Sequence, residues 1–508
     1  MTYAPSRLCA ALLMSAALVA PLAAFLGGCA VGPNYVRPSA ALPPTFKEQA
    51  GWSPAAPADI ADRGDWWTLF NDPALSALEA KVQVSNQNII AAEAAYRQAR
   101  AIVSEQRATL FPGVGVTGSG TQSGGGTGSR GQVITGAGGG TVITGTGTGT
   151  GTVNGSSGST RSTSYRAGLS ASWAPDVWGR IRRTIEAAKS NAQASAADLA
   201  AARLSAQGEL ATDYFNLREA DAELALDQAT VDAFQRSLTI AQNRYNAGVT
   251  VKSDVFQAQT QLANARADLA GTDRQRAIFE HAIAVLTGEA PGNFALATAP
   301  WVGTVPAIPA SVPSTLLQRR PDIAGAERRV QAANAQIGVQ TAAYFPDLSL
   351  SGSFGFAASE LGSVFGSASS LWSYGASVAE TLFDAGARPA RVNQARAATD
   401  QAVAQYRETV LQALRNVEDQ LAATRVLAQQ SDLRKEASVA ADAAETIVAN
   451  RYKSGQVSYT DVVAAQTAAY TARRAVAQVA VQRQTTAVAL IQSLGGGWTA
   501  GTDPRVSR

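Results

Sequence analysis

The chain has 508 residues, of which 46% are hydrophobic and 16% charged, and its formal net charge at neutral pH is +3. This composition supplies ample material for a core and excludes a globally disordered chain. The basic residues are spread among acidic ones along helical stretches, so the sequence lacks the basic patch typical of nucleic-acid binding.

The N-terminus has the pattern of a signal peptide. Arg7 precedes an apolar run from Leu8 to Phe25, and small residues follow directly before Cys29. This ending resembles a bacterial lipobox, which implies removal of residues 1–28 and acylation of Cys29, and several buried acyl chains anchor a protein stably. Because Ala30 replaces the Asp that commonly retains lipoproteins in the inner membrane, outer-membrane delivery is expected. Ordinary cleavage with a free Cys29 thiol is the alternative.

The sequence offers little to a catalytic site. Cys9 lies within the predicted signal peptide, and His281 is the single histidine, in a helical stretch where a packed or capping role is favoured. The sequence contains no Ser/His/Asp set, zinc-ligand spacing or phosphate-binding Gly motif. We therefore expect no enzyme activity, no cofactor and no metal site.

The first long element is a predicted helix. After Trp66-Trp67 and Asp72-Pro73, the stretch from Ala74 to Leu110 has apolar residues spaced three and four apart. Phe111-Pro112 ends this helix and begins a segment of another kind.

Four segments alternate with a period of two. They start near Val114, Tyr165, Leu348 and Trp372, and each has an apolar face opposite a face rich in Ser and Gly. A length of about 9 to 11 residues with aromatic residues near the ends is typical of transmembrane barrel strands. Half-buried strands of a soluble sandwich are the alternative.

The connection between the first two strands, residues 118–163, is dominated by Gly, Thr and Ser. Such a composition cannot bury a core, so we predict a mobile loop. Outer-membrane barrels have their long loops outside the cell, which predicts an extracellular position.

A very long helix follows each pair of strands. Arg180 to Ala247 and Ala387 to Ser454 each contain 68 residues, about 100 Å of helix at 1.5 Å per residue. Abundant Ala and near-heptad apolar spacing predict coiled-coil packing. Gly248 and Gly455 are expected to turn each helix back into a hairpin that points away from the strands.

The same pattern is written twice, because Asn243 to Gly248 returns as Asn450 to Gly455 after 207 residues. This offset is too long for a solenoid unit and predicts two copies of one module. The predicted segments are a signal peptide 1–28, a lipidated extended segment 29–72, a first repeat 73–290, a linker 291–315, a second repeat 316–498 and a tail 499–508.

Four strands cannot close a membrane barrel with room inside, and an unpaired strand edge in hydrocarbon loses several kcal/mol for each unsatisfied backbone group. Closure must therefore be shared between chains. Three copies would supply twelve strands and an open lumen, continued by long helices.

Short motifs spread in order along nearly the whole mature chain resemble those of the outer membrane factor family, the TolC-like and OprM-like exit ducts of tripartite efflux pumps, in its lipid-anchored NodT-like branch. The motifs are Cys29-Ala30-Val31-Gly32-Pro33-Asn34-Tyr35 with Arg37-Pro38, Trp66-Trp67 with Asp72-Pro73, Arg319-Arg320-Pro321-Asp322-Ile323, Phe345-Pro346-Asp347-Leu348, Leu382-Phe383-Asp384 with Gly386, and Leu494-Gly495-Gly496-Gly497-Trp498.

The resemblance implies a mixed α and β membrane protein: a homotrimeric, 12-stranded outer-membrane β-barrel continued by a periplasmic α-helical coiled-coil barrel. It also implies a periplasmic adaptor and an inner-membrane transporter of the RND class as partners. The hairpin turns would contact the adaptor through Arg244, Tyr245, Gly248, Val249, Arg451, Tyr452, Gly455 and Gln456. The aperture candidates are Tyr452, Gln456, Thr460 and Asp461.

OprM-like relatives can place a carboxylate and a basic residue just after the second turn as an aperture lock. The matching positions here are Ala464 and Thr467, so an ionic lock is not expected at this level. Ser458 and Asp461 fit a helix capping box, which gives Asp461 a second, purely structural interpretation.

The predicted function is passive conduction of small toxic compounds or drugs to the cell exterior through an outer-membrane duct of a Gram-negative bacterium. A duct for type I protein secretion or for metal efflux is the alternative within this architecture. A periplasmic coiled-coil structural or adaptor lipoprotein without a pore is the alternative of a different class.

Overall fold

The computed structural model describes residues 30–39, 47–48, 64–124, 161–301, 303–306 and 320–496. Cys29, the predicted signal peptide, the tail 499–508 and residues 125–160 of the predicted loop lie outside these ranges. The chain divides into two compact units. Of the described residues, the sheet unit contains 30–32, 105–124, 161–183 and 338–390, and the helix unit contains those in the ranges 33–104, 184–337 and 391–496.

The sheet unit contains one antiparallel sheet of four strands in the order β1-β2-β3-β4. All four segments with the predicted period of two are strands. β1 and β2 extend into residues 118–124 and 161–163, which were expected to be loop, because the backbone pairing between the two strands continues there without a break. The strands are β1 Gly113–Gly124, β2 Arg161–Trp173, β3 Asp347–Ala358 and β4 Ser370–Ala379.

Seven α-helices account for most of the other described residues. The two long helices, α3 and α6, contain 67 residues each, and the helices that follow them, α4 and α7, contain 35 each. The helices are α1 Pro73–Ser85, α2 Gln87–Ala108, α3 Arg180–Asn246, α4 Lys252–Leu286, α5 Pro321–Ala342, α6 Ala387–Lys453 and α7 Tyr459–Ser493.

The single helix predicted from Ala74 to Leu110 is wrong, because Asn86 separates α1 from α2 in an extended conformation. The buried Asn86 side chain donates to the Leu286 carbonyl at 2.9 Å. Its Oδ1 atom accepts from the N–H groups of Asn88 at 3.0 Å and Ile89 at 3.2 Å, and so caps α2. Leu286, which accepts this hydrogen bond from Asn86, lies 200 residues away in sequence. Helical periodicity alone could therefore not indicate the break at Asn86.

An aromatic core lies at the start of the helix unit. The short 3-10 helix Trp66–Phe70 buries Trp66 completely and places the Phe70 ring 4.8 Å from that of Phe215 on α3, tilted by 47°. Aromatic side chains of this size bury about 150–250 Å² each. The Trp66-Trp67 motif is therefore a core element that packs on α3.

Asp72 fixes the start of α1. Its Oδ1 atom accepts from the N–H groups of Ala74 at 2.8 Å and Leu75 at 3.1 Å, an N-cap that stabilises a helix by about 1 kcal/mol. The Tyr214 hydroxyl of α3 donates to Asp72 Oδ2 at 2.6 Å. The Asp72-Pro73 motif thus caps one helix and ties it to another.

A buried ion-pair cluster holds the chain that follows α4. Asp221 accepts from Arg276 Nε at 2.7 Å, from Arg218 Nη1 at 2.9 Å and from the Ala299 N–H at 3.3 Å. Arg276 also donates to the Leu296 carbonyl at 2.5 Å. Removing one member of a buried pair leaves the other charge uncompensated, at about 3–5 kcal/mol. This cluster therefore fixes the beginning of the predicted linker against the helices.

The described part of the N-terminal segment, residues 30–39, contains no helix or strand. Within the sheet unit, Arg183 donates to the carbonyls of Val31 and Gly32, both at 3.2 Å. Within the helix unit, Glu327 on α5 accepts from Tyr35 at 3.3 Å and pairs with Arg37 at 2.9 Å. Side chains on the helices therefore hold the extended backbone of this segment.

His281 was expected to be packed or to cap a helix, and this expectation is wrong. Its side chain is exposed on α4, five residues before the helix ends at Leu286. Ile283 and Ala284 are buried on another face of the helix, whereas Ile278 and Val285 are exposed on the same face as His281.

Candidate functional site

The two faces of the sheet differ in chemistry. One face contains the aliphatic and aromatic residues, and the other contains mainly Ser, Gly and Thr. Trp372 and Tyr374 lie on the apolar face of edge strand β4, stacked at 5.7 Å, and are 71% and 83% exposed. A large exposed apolar patch of this kind marks a surface that contacts a membrane or another protein.

On the polar face, serine hydroxyls from neighbouring strands form hydrogen bonds. Ser349 and Ser377 are 2.6 Å apart, and Ser353 and Ser373 are 2.8 Å apart. Each pair lies directly opposite in the β3-β4 register. This face is therefore a water-compatible surface of small side chains.

Both hairpin turns end their long helices in the same way. Gly248 and Gly455 have φ angles of +73° and +77°, as a left-handed turn requires. The N–H groups of Val249 and Gln456 donate to the carbonyls of Arg244 and Arg451, each at 2.9 Å. This hydrogen bond closes a Schellman-type cap, and each long helix ends two residues before its glycine.

The two hairpins meet in a small core near their turns. The Arg244 guanidinium lies 4.7 Å above the Tyr452 ring, and its Nη1 atom donates to the Tyr452 carbonyl at 3.0 Å. The Tyr452 ring lies 5.6 Å from that of Tyr459, and Val255 and Val462 complete this core. Sequence comparison of the turns did not reveal this pairing, because it joins non-equivalent positions of the two copies.

Two buried hydroxyls stand out in this core. The hydroxyl oxygens of Tyr452 and Tyr459 have no hydrogen-bond partner among the described residues. Burial raises the pKa of the Tyr459 hydroxyl to about 12, and burial also raises the pKa of Tyr452. Both tyrosines therefore stay neutral near neutral pH and act as packing groups.

The starts of the two return helices differ. At the second, Ser458 and Asp461 form the predicted capping box, which is confirmed: the Asp461 carboxylate accepts from the Ser458 N–H at 2.9 Å. These hydrogen bonds from Ser458 lower the pKa of Asp461. At the first, Val251 makes no side-chain cap, and Thr250 donates to the Asp254 carboxylate instead.

The exposed residues at the turns differ as well. Val249 is 63% exposed, Phe256 is 55% exposed, and the Lys252 ammonium lies 5.4 Å from the Phe256 ring centroid. The second turn exposes the polar side chains of Gln456 and Thr460 instead. One tip is therefore more apolar than the other.

The structure separates the aperture candidates by burial. Tyr452 is buried in the core between the hairpins, whereas Gln456, Thr460 and Asp461 are exposed. The Thr460 hydroxyl lies 3.5 Å from the Gln257 side-chain oxygen of the first hairpin. Among the tip candidates, Tyr245, Gly248, Val249, Arg451 and Gly455 are also exposed, and Arg244 is half-buried.

Within the described residues, His, Cys, Asp and Glu side chains nowhere gather in a group of three that could hold a metal ion. Among the helices of the described ranges, none combines the length and the apolar character needed to cross a membrane.

Comparison with known proteins identifies the family. The model of the family described as "Outer membrane efflux protein" matches residues 78–289 and 312–496, and the chain belongs to this family. It is 29% identical over 482 residues to the probable efflux pump outer membrane protein TtgC of Pseudomonas putida, covering 94% of this chain and 95% of that one.

Two further similarities point the same way. The chain is 28% identical over 481 residues to the cation efflux system protein CusC of Escherichia coli, covering 93% of this chain and 96% of that one. The structure of the outer-membrane channel OprN superimposes with a TM-score of 0.78 at 29% identity, covering 92% of this chain and 100% of that one. The family is one of efflux channels and not of enzymes. The chain is an outer-membrane channel component of an efflux pump.

Proposed function

We propose that three copies of this chain close a 12-stranded β-barrel in the outer membrane of a Gram-negative bacterium. The main support for this barrel is the four-stranded sheet, which has one apolar face, one polar face and two edge strands, β1 and β4. In hydrocarbon every backbone group must be paired, so the edges need strands from neighbouring copies. The apolar face then contacts lipid and the polar face lines a water-filled lumen.

The helices continue this barrel as a periplasmic α-helical coiled-coil barrel. Internal duplication accounts for the paired elements, with a first repeat at 73–290, a linker at 291–315 and a second repeat at 316–498. The equal lengths of α3 and α6, and of α4 and α7, support two copies of one module. Two repeats in three chains produce six similar hairpins.

The duct conducts small toxic compounds or drugs passively to the cell exterior, without catalysing a reaction. The names of relatives span solvents, antibiotics and cations: a solvent efflux protein, SrpC, and an antibiotic efflux protein, ArpC, of Pseudomonas putida match at 29% identity, beside the cation efflux protein CusC. The sequence has only two methionines, both in the predicted signal peptide, and one histidine, so a path lined with soft metal ligands has little support.

A periplasmic adaptor docks on the hairpin tips, and an inner-membrane transporter of the RND class supplies the energy. The exposed tip residues Val249 and Gln456, with Arg451 beside the second turn, form the contact surface, and Tyr452 supports it from the core. Resting closure depends on packing around Gln456 and Thr460, with Asp461 holding the helix start. Adaptor binding opens the duct by shifting a closed population towards an open one.

An N-terminal lipid anchor at Cys29 completes the membrane attachment. The support is the apolar run that ends in small residues directly before this cysteine. Replacing Cys29 with Ser is expected to remove radioactive palmitate labelling. Label that persists in the Cys29→Ser chain would contradict this assignment.

The test of the channel is single-channel recording on the purified, full-length mature protein in a planar bilayer, combined with a mass measurement of the detergent-solubilised oligomer. A trimer that conducts supports the proposal. A stable oligomer that gives no conductance would instead support a coiled-coil lipoprotein without a pore. Deletion of the gene followed by a panel of toxic compounds then shows which ones require the duct.

A further inference from the structure

The polar face of the sheet contains very few charges. Its described strand residues are Ser, Gly and Thr with few exceptions, and only Arg166 and Asp347 carry charge. Alternation places Arg166 on this face with Ser164 and Gly168, because the neighbouring Tyr165 and Ala167 belong to the apolar face. Arg166 is therefore the one basic residue among the small neutral side chains on this face of the described strands.

The two charges differ in position and in pairing. Asp347 is the first residue of β3 and lies 3.8 Å from Arg180, so its charge is partly balanced. Arg166 lies within β2, six residues before Ser172 and hence about 20 Å from that end at 3.3 Å per residue. Its side chain is exposed and makes no ion pair among the described residues.

The neighbours of Arg166 leave its guanidinium group open. In the sheet register, Ser119 of β1 and Ala357 of β3 lie directly opposite it on either side. Both side chains are too short to cover a guanidinium group, and neither is ionisable. The positive charge therefore projects from the polar face without a counter-charge from the sheet.

We propose that Arg166 forms a ring of three positive charges in the barrel lumen and makes this section of the duct prefer anions. The inference rests on the proposed trimeric barrel, in which threefold symmetry places the three guanidinium groups at one level. Rings of basic side chains select for anions in pores, and a low-dielectric wall focuses their field. The Debye length is about 8 Å at physiological salt, so each guanidinium group acts mainly on solutes that pass within about that distance.

The chemistry defines the favoured solutes as those with a carboxylate, sulfonate or phosphate group. A guanidinium offers up to five N–H donors in a fixed fork that matches such anions, and surrounding serine hydroxyls can donate as well. Cationic solutes still pass, but at a lower local concentration near the ring.

The test uses a thiol reporter, because Cys9 and Cys29 are the only cysteines of the chain. Ser119→Cys places a thiol opposite Arg166, and the labelling rates with an anionic and a cationic methanethiosulfonate are compared in the trimeric protein. The same comparison is made with Arg166→Gln and with Arg166→Lys. Ser377→Cys is the control, because its register partner Ser349 lies eight residues along β3 from Ala357, about 26 Å away.

With Arg166, the ratio of anionic to cationic labelling at Ser119→Cys is expected to exceed that with Arg166→Gln by roughly fivefold at low salt. Arg166→Lys should retain most of this ratio, 1 M salt should abolish the difference, and Ser377→Cys should show none. Equal ratios with Arg166 and Arg166→Gln in a conducting trimer overturn the ring while leaving the channel intact. If the trimer conducts but Ser119→Cys is unreactive to both reagents, the ring is also overturned; a protein that forms no conducting trimer overturns the channel itself.

Discussion

Glu79 on α1 is fully buried, and neither of its carboxyl oxygens has a hydrogen-bond partner among the described residues. Burial raises the pKa of this carboxyl to about 9, because an ionised group without partners is unfavourable in an apolar core. Glu79 is therefore protonated in the folded chain at neutral pH.

This pKa predicts a pH-dependent stability. Above about pH 4.5 the unfolded chain ionises Glu79 while the folded chain does not, so stability falls as the pH rises towards about 9. Glu79→Gln should match the wild type near pH 4 and exceed it by on the order of 5 kcal/mol at pH 8. Thermal unfolding in detergent at both pH values measures this. The exposed Glu93→Gln is the control, and equal gains at both pH values would contradict the assignment.

Arg244 and Arg451 occupy equivalent positions in the two copies but differ in contacts. Arg244 packs over the Tyr452 ring and donates a hydrogen bond to the backbone carbonyl of Tyr452, whereas Arg451 is exposed. Arg244→Ala should weaken the junction between the hairpins by about 1–2 kcal/mol and speed hydrogen exchange in residues 450–462 roughly 5- to 30-fold. Arg451→Ala is the matched control and should have little effect. Similar exchange in both variants would exclude the proposed role of the stacking contact.

At the scale of elements, the break between α1 and α2 depends on one side chain. Asn86→Ala removes the cap of α2 and leaves the buried Leu286 carbonyl without its partner. The expected loss is about 2 kcal/mol, seen as a lower thermal midpoint of the trimer. Asn88→Ala, an exposed change two residues later, should leave the midpoint unchanged. A midpoint for Asn86→Ala within error of the wild type would show that packing alone maintains the break.

At the scale of the whole assembly, the duplication has produced two unequal tips. Val249 and Gln456 occupy equivalent positions, but the first tip exposes Val249 and Phe256, whereas the second exposes Gln456 and Thr460. If the adaptor uses the apolar tip as its main contact, Val249→Asp should lower the affinity for the adaptor at least tenfold. Survival on toxic compounds should then fall nearly to that of the deletion strain. Gln456→Asp adds the same charge and should lower the affinity less than threefold. The reverse order would assign the main contact to the second tip.

The sequence by itself determined the elements and their order, except for the break at Asn86 between α1 and α2. A period of two marked the strands, and apolar spacing without Pro, apart from Pro389 in the first turn of α6, marked the long helices, because both signals are local. Gly248, Gly455 and the capping box of Ser458 and Asp461 were equally predictable, since a left-handed turn and an N-cap each restrict which residues fit.

Only the tertiary structure decided which distant residues meet. The partner of Asn86 lies 200 positions away, and Arg244 lies on a tyrosine of the other repeat. The absence of an ionisable register partner for Arg166 on the described strands became visible only when the pairing placed Ser119 and Ala357 beside it. A periodic pattern defines which face a residue occupies, but its neighbours across that face depend on packing between segments that are remote in sequence.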